Sequence, residues 1–427
     1  MNSSGLSSDQ RTIIIGGGVI GVCTAYYLAK RGARVTVLER DEIGKGASFG
    51  NAGCIAPGHA PINKPGRIKQ AIKSLFDPLS PLYIAPRPDP ELARWLWTFS
   101  RTCTEEHVER SMERLASLGH ATRQLFSEIL QQEKLDCCFR DAGYYEVYRT
   151  EKGLAGGRKE AALTARYGFH PEILNGEQLR EREPAMRLGV IGGIFFPEAA
   201  TLNPYKFVAG LARRCREMGV IFVTSTEVAA LHNAGGRIQG VRLKDGTTLE
   251  ADAVVLAAGA YSASLLRELG IYFPLQGGKG YHRDCAPAGN NPPLMRQACV
   301  LGENMVFCTP MDGFVRLAGT LEFSGLNHEI RRPRLEQLTL AAARYITGTD
   351  KVVSQSEWCG LRPCLPDGMP AIGPVRRCPG LFVGTGHAML GLTMGPVTGK
   401  LLAECILDGA PTLNLEGMSP ERFRSQL

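Results

Sequence analysis

No apolar stretch in the 427 residues approaches the roughly 18 that a membrane-crossing helix needs, so no transmembrane segment is expected. The N-terminus, MNSSGLSSDQR, lacks the basic-then-apolar order of a secretory leader. Cysteine is present at 13 positions, but the number is odd, the positions are scattered and no Cys-x-x-Cys occurs. This speaks against a disulfide framework and for a reducing, cytoplasmic compartment. The adjacent pair Cys137-Cys138 is a poor start for a disulfide or a metal site. The net charge of +7 comes without a long Lys/Arg run. It reads as a solvated surface excess that tolerates an anionic substrate or a peripheral membrane contact and gives no sign of nucleic-acid binding. Internal repeats, low-complexity tracts, metal-ligand spacings, paired carboxylates and a nucleophile elbow are all missing, and no metal is expected.

What is present is concentrated in TIIIGGGVIGVCTAYYLAKRGARVTVLER, residues 12–40. An apolar run leads into Gly16-Gly17-Gly18-Val19-Ile20-Gly21, an amphipathic helix follows, and a second β-type run ends in Glu39. This is a dinucleotide-binding βαβ unit in full context. Gly16 permits a tight turn, Gly18 lets backbone approach a pyrophosphate, and Gly21 allows the helix to pack closely on the strand. The phosphates rest on the helix N-terminus. Glu39 accepts ribose hydroxyls, where a 2′-phosphate would be repelled.

Along the chain, the proline-rich residues 61–90 read as loop and residues 91–135 as helical. Strands are expected at Tyr144–Arg149 and Gly193–Phe196, flanking a helix near Lys159–Tyr167. Asn203 and Pro204 have the residue types of an N-cap and first position for a helix to Met218. Short strands follow in VIFVT, GRIQGVRLKDG and ADAVVLAAGA. Residues 271–355 alternate strands with one helix, around Arg334–Tyr345, before the chain returns to strand and helix at LFVGTG and TMGPVTGKLLAECILDG. The expected fold is α/β plus α+β: a discontinuous Rossmann-like domain (11–60, 200–270 and 356–427) and a mixed-sheet substrate domain (61–199 and 271–355).

Ser48-Phe49-Gly50-Asn51-Ala52-Gly53, the strand 253–262 ending in Gly259, Gly360-Leu361-Arg362-Pro363, and Gly384-Thr385-Gly386-His387 through Thr393 complete a pattern covering nearly the whole chain. It resembles the D-amino acid oxidase superfamily of FAD-dependent oxidoreductases, and within it the bacterial D-amino acid dehydrogenases. The resemblance implies noncovalent FAD. Gly16, Gly18, Val19, Ile20 and Gly21 would hold the pyrophosphate, Glu39 and Arg40 the adenosine end, and Val228 the adenine. Ser48, Asn51, Ala52 and Gly53 match the loop near the pyrophosphate and flavin, and Gly259 the strand end beside the dinucleotide. Gly386, His387, Gly391, Leu392 and Thr393 match the segment at the flavin N1–C2 edge, where amides stabilise negative charge.

The same resemblance places the substrate carboxylate on Arg362, whose fork suits a desolvated anion. His59 and Tyr281 are further candidates to line or cover the pocket, with loop and core roles as their alternatives. Cys364 has the position of a flavin-attaching cysteine in some sarcosine oxidases, but its context matches the noncovalent branch. Trp95 and Trp97, with Arg94 and Arg101, are read as core in preference to a membrane-interface edge. The implied reaction is hydride transfer from Cα of a D-amino or cyclic D-imino acid, such as D-proline or hydroxy-D-proline, to flavin N5. It gives an imine or 2-oxo acid and passes electrons to a quinone or partner subunit. A sarcosine- or glycine-oxidase-like enzyme that makes peroxide, and a non-catalytic FAD-binding subunit, are the rivals.

Overall fold

The computed structural model describes residues 10–74, 77–287 and 294–423. The leader reading falls on residues 1–9 almost entirely, outside that range. The two β-type runs around the glycines form the centre of a six-stranded sheet. Arg11–Ile15 lies parallel to Arg34–Leu38 on one side and to Ala253–Leu256 on the other. Ile221–Val223 and Leu381–Thr385 extend it in parallel, and Ala371–Pro374 closes one edge antiparallel. Strands covered on both faces must be apolar throughout, and all four residues of Ala253–Leu256 are buried. Helices Val19–Lys30 and Gly391–Leu407 pack together over this sheet. A small antiparallel sheet, Val228–Ala234, Arg237–Leu243 and Thr248–Glu250, stands beside it.

A nine-stranded mixed sheet forms the second layer. From one edge its order is Val352–Cys364, Gln276–Pro287, Val315–Phe323, Val306–Pro310, Cys299–Leu301, Tyr144–Tyr148, Gly192–Phe196 and Glu172–Asn175. Leu82–Ile84 also pairs with Val315–Phe323, past the point where Val306–Pro310 stops. Helix Pro204–Glu217 begins as its sequence predicts, with the Asn203 side chain accepting the Lys206 amide at 3.1 Å.

Several elements depart from the expected division. Residues 61–90 hold a helix, Arg67–Ser74, and the strand Leu82–Ile84. Helix Glu105–Glu133, expected with the substrate domain, buries Leu115, Leu118, Phe126 and Ile129 in the core of the first sheet. A 3.6-residue period defines an apolar face and leaves open which surface covers it. Strand Val352–Cys364 runs across the 355/356 boundary and pairs along its length with Gln276–Pro287, so Arg362 stands on the second sheet. In helix Pro90–Thr102, Trp95 is buried and stacks on Phe99 at 5.2 Å, whereas Trp97 is 67% exposed and is not core. All 13 cysteines are free thiols.

Candidate active site

A cavity of about 1210 Å³ is walled by the ends of the first sheet, the 46–66 loop and one face of the second sheet. At one end the glycine motif makes contacts that side chains would prevent. Gly16 has φ +109°, and a Cβ there would lie 2.4 Å from the Ala257 carbonyl oxygen. A Cβ on Gly21 would lie 1.9 Å from the Gly16 carbonyl oxygen, so the helix can sit this close only as glycine. Gly16, Gly18, Val19 and Ile20 line the cavity, while Gly21 stands behind them as a packing position.

The Glu39 carboxylate accepts the amides of Gly17 at 2.7 Å and Asp41 at 2.9 Å. A carboxylate offers about four lone-pair sites, so both oxygens keep acceptor capacity toward the cavity. Arg40 stacks on the Tyr261 ring at 3.8 Å, and Val228 and Gly259 complete this end.

In the middle, Ser48 Oγ accepts the Val19 amide at 2.9 Å. Asn51 Oδ1 accepts the Gly53 amide at 2.8 Å, and Asn51 and Ala52 line the wall. Gly53 lies outside the wall, against the Leu202 carbonyl. This loop is tied to the second sheet by groups that the motifs gave no sign of. Arg316 donates to the carbonyls of Phe49 and Asn51 at 2.9 and 3.1 Å while its fork grips Asp284 at 2.8 and 2.9 Å. His282 contacts the Gly50 carbonyl, and burial, then the charge of Arg316, pushes its pKa down to about 4.

Opposite that loop, His387, Gly391, Leu392 and Thr393 line the cavity, and Gly386 packs behind against Leu365. Burial lowers the His387 pKa to about 3, so its imidazole is neutral. Its Nε2 meets Thr398 Oγ1 at 2.9 Å, and its buried Nδ1 has no partner among the described residues.

Arg362 reaches the cavity from the second sheet. Its Nη1 donates to the Thr320 carbonyl at 2.7 Å, and among the described residues no carboxylate pairs with it. Burial lowers its pKa from the ordinary guanidinium value, so an anion beside it is favoured. His59 is on the wall, its Nδ1 2.7 Å from the Ala60 carbonyl, with burial lowering its pKa.

Tyr281 corrects the expectation of a substrate cover. It is 1% exposed, absent from the wall, and donates to Glu322 at 2.9 Å. Its neighbour Gly280 faces the cavity, and successive strand residues point to opposite faces. Cys364 is likewise behind the wall, buried, with its thiol pushed up to about 12 by burial.

The far arm of the cavity contains a carboxylate pair, Glu146 on strand Tyr144–Tyr148 and Glu160 on the next helix, Glu151–Ala165, which the sequence motifs gave no sign of. Glu146 accepts from Tyr148 at 2.8 Å, and Glu160 pairs with Lys64 at 2.7 Å. Burial, then the Glu160 charge, pushes the Glu146 pKa up to about 7. No cluster that could hold a metal ion occurs among the described residues.

A family model described as FAD dependent oxidoreductase matches residues 11–405, and the chain belongs to that family of flavoenzymes. The chain is 34% identical over 427 residues to the D-amino acid dehydrogenase of Methylobacterium radiotolerans, covering 97% of this chain and 100% of the relative. The Methylobacterium nodulans D-amino acid dehydrogenase is 34% identical over 420 residues, covering 97% and 99%. Among solved structures, glycine oxidase from Geobacillus kaustophilus superposes with a TM-score of 0.78 at 22% identity, covering 97% of this chain and 100% of that one. L-proline dehydrogenase from P. horikoshii gives 0.77 at 19% identity, covering 98% of each. These two establish the fold.

FAD is therefore the cofactor, and the site fits it: a turn closed to any Cβ, an acid at the end of the second strand, and at the opposite end a buried imidazole nitrogen with no partner among the described residues.

Proposed function

We propose that this FAD-dependent oxidoreductase oxidises a D-amino acid or cyclic D-imino acid at Cα, in the narrower reading D-proline or a hydroxy-D-proline. One observation carries the reading: the Arg362 guanidinium on the cavity wall, desolvated and without a carboxylate partner among the described residues. A bidentate pair with an α-carboxylate supplies the missing charge and fixes two atoms of the substrate, and through them Cα. The names of the two Methylobacterium relatives support a D-amino acid as substrate.

When bound, FAD supplies the hydride acceptor. Arg362 holds the carboxylate, and His387 on the wall, kept neutral by burial, adds no competing charge. Ile84, Trp95, Leu96 and Phe99 give part of the wall an apolar surface that keeps water from the reacting carbon. No side-chain base is required when the substrate amine binds neutral, so positioning does most of the work.

The electron acceptor in this reading is a quinone or a partner subunit, with the protein cytoplasmic and peripheral to the membrane. No helix among the described residues is long and apolar enough to cross a bilayer. Exposed Ile68, Ile72, Leu79 and Trp97 lie on segments that also contribute to the cavity wall or adjoin it, which supports a docking edge on this side of the molecule.

The test is anaerobic mixing of purified holoprotein with D- and L-amino acids, D-proline analogues and sarcosine, read by bleaching of flavin absorbance. Bleaching by D-amino or D-imino acids is expected. Rapid oxygen consumption would move the peroxide-forming oxidase ahead, and failure of every amine to bleach would leave a non-catalytic FAD-binding subunit.

A further inference from the structure

Arg316 is buried, and every nitrogen of its guanidinium is committed. Nε and Nη2 grip the two oxygens of Asp284 at 2.8 and 2.9 Å, and Nη1 donates to the carbonyls of Phe49 and Asn51 at 2.9 and 3.1 Å. Asp284 also accepts the Ser356 hydroxyl at 2.8 Å. These three residues stand side by side on adjacent strands, because Asp284 pairs in register with Arg316 on one side and with Ser356 on the other. Between the two carbonyls that Arg316 holds, the Gly50 carbonyl lies 3.3 Å from His282 Nδ1. Three consecutive carbonyls of the 48–53 loop are thus turned onto the second sheet.

A trans peptide is planar, with its C=O and N–H pointing in opposite directions. Turning the Phe49 and Asn51 carbonyls onto Arg316 therefore turns the Gly50 and Ala52 amides away from it. Gly50, Asn51 and Ala52 line the cavity, whereas Arg316, Asp284 and His282 lie behind its wall. The Asn51 amide is taken by the Ser48 carbonyl at 3.3 Å, and those of Gly50 and Ala52 have no partner among the described residues. Backbone amides away from bulk water are nearly always paired, so two open ones on a cavity wall are suited to a ligand. Before them in the chain, Ser48 meets the Val19 amide at the helix N-terminus that takes the pyrophosphate. After them, Ala56 donates its amide to Thr393 at 3.1 Å, in the segment at the flavin end. A buried ion pair gains little stability over apolar residues of the same volume. What this pair adds is a fixed direction for two peptides.

We infer that Arg316 orients the Gly50 and Ala52 amides as donors to bound FAD on the flavin side of its pyrophosphate, and that these donors raise the reduction potential of the flavin. Preorganised N–H groups stabilise the negative charge that the ring gains on reduction. Arg316 is a positioning residue: it acts through two peptides and does not touch the cofactor. Ser356 and Arg362 share the strand Val352–Cys364, so the flavin loop and the arginine on the cavity wall are held to one frame. The inference rests on FAD as the cofactor and is independent of which substrate is oxidised.

The experiment compares wild-type holoprotein with Arg316→Lys and with the double variant Arg316→Met, Asp284→Asn. Lysine keeps a charge for Asp284 but cannot hold the carboxylate and both carbonyls at once. The double variant removes both charges and strands neither. FAD release on dilution is followed by flavin fluorescence, the midpoint potential by anaerobic equilibration with redox dyes at full FAD occupancy, and folding by Tm. Release is expected to be roughly 10-fold faster in both variants, the worth of one or two hydrogen bonds. A tenfold loss of preference for the reduced form lowers the potential of a two-electron couple by about 30 mV, and a fall of about that size is expected in both. A clasp that served the fold alone would lower Tm and FAD content and leave the potential of the flavin-replete protein where it was. An unchanged or raised potential in the double variant would therefore overturn the inference, whatever its Tm. If Arg316→Lys does not fold, the double variant decides alone.

Discussion

Gly21 and Gly16 touch so closely that a methyl group on the first would lie 1.9 Å from the carbonyl oxygen of the second. The helix that presents its N-terminus to the cavity is therefore set against the first strand by the lack of one side chain. Beside it, Glu39 is held by two backbone amides, which fixes its carboxylate before any ligand arrives.

Cofactor retention should follow from those two features. Glu39→Ala is expected to weaken FAD binding by about 1–3 kcal/mol, since hydrogen bonds to a charged acceptor are lost. Gly21→Ala should lower both FAD content and Tm, because the helix must move. Equilibrium dialysis and thermal melts check both, and full retention in Glu39→Ala would remove the acid from the ribose site.

For Arg362→Ala, kcat/KM with an amino acid is expected to fall by roughly 30- to 5,000-fold, the usual cost of stranding a buried charge. Arg362→Lys should recover only part, because an ammonium keeps the charge and loses the fork. Flavin content should stay unchanged in both. Unaltered kinetics in a flavin-replete Arg362→Ala would refute the assignment. Lys279 could not then take over the role: it is fully buried and committed to Asn327 at 2.6 Å and to Glu322 at 3.3 Å.

Acid precipitation should release FAD into the supernatant. Cys364 lies behind the wall with a thiol held protonated by burial, in no position to bond a flavin. Flavin remaining on the pellet, and freed by Cys364→Ser, would reverse this.

Glu146 predicts a pH signature. Its pKa rises from 4.5 to about 7 on folding, so between those values the folded state holds a proton that the unfolded state has lost. Its contribution to stability is present below pH 4.5 and is lost as pH rises through 7. Glu146→Gln carries no such loss. The Tm of the variant relative to wild type should therefore rise between pH 5 and pH 8. Melts at unit intervals test it, and a difference that does not vary with pH would show an ordinary carboxylate.

The exposed residues Ile68, Ile72 and Trp97, with Lys69 among them, should give measurable binding to anionic phospholipid vesicles at low salt. Trp97→Ala and Ile72→Asp are expected to reduce co-sedimentation several-fold, and high salt should weaken it further. Wild-type protein that stays in the supernatant at low salt would argue for a water-soluble acceptor or a partner subunit.

What the sequence by itself determined is what short-range geometry encodes. The order of strand, glycines, helix, strand and acid within 29 residues defines the core of the dinucleotide end, because Gly21 against Gly16 and Glu39 on the Gly17 and Asp41 amides are contacts inside that one unit. Asn203 and Pro204 likewise set the start of their helix by local hydrogen bonding and a fixed φ. Arg362 was legible through its motif. Its surroundings were not, because Thr320, Gly280 and Arg362 meet through the pairing of three strands far apart in the chain. A register parity that no local pattern reveals put Gly280 rather than Tyr281 on the cavity face. Glu146 and Glu160, and the Arg316–Asp284 clasp on the 48–53 loop, are also products of tertiary pairing. Their chemistry depends on burial and proximity, which only the assembled sheets supply.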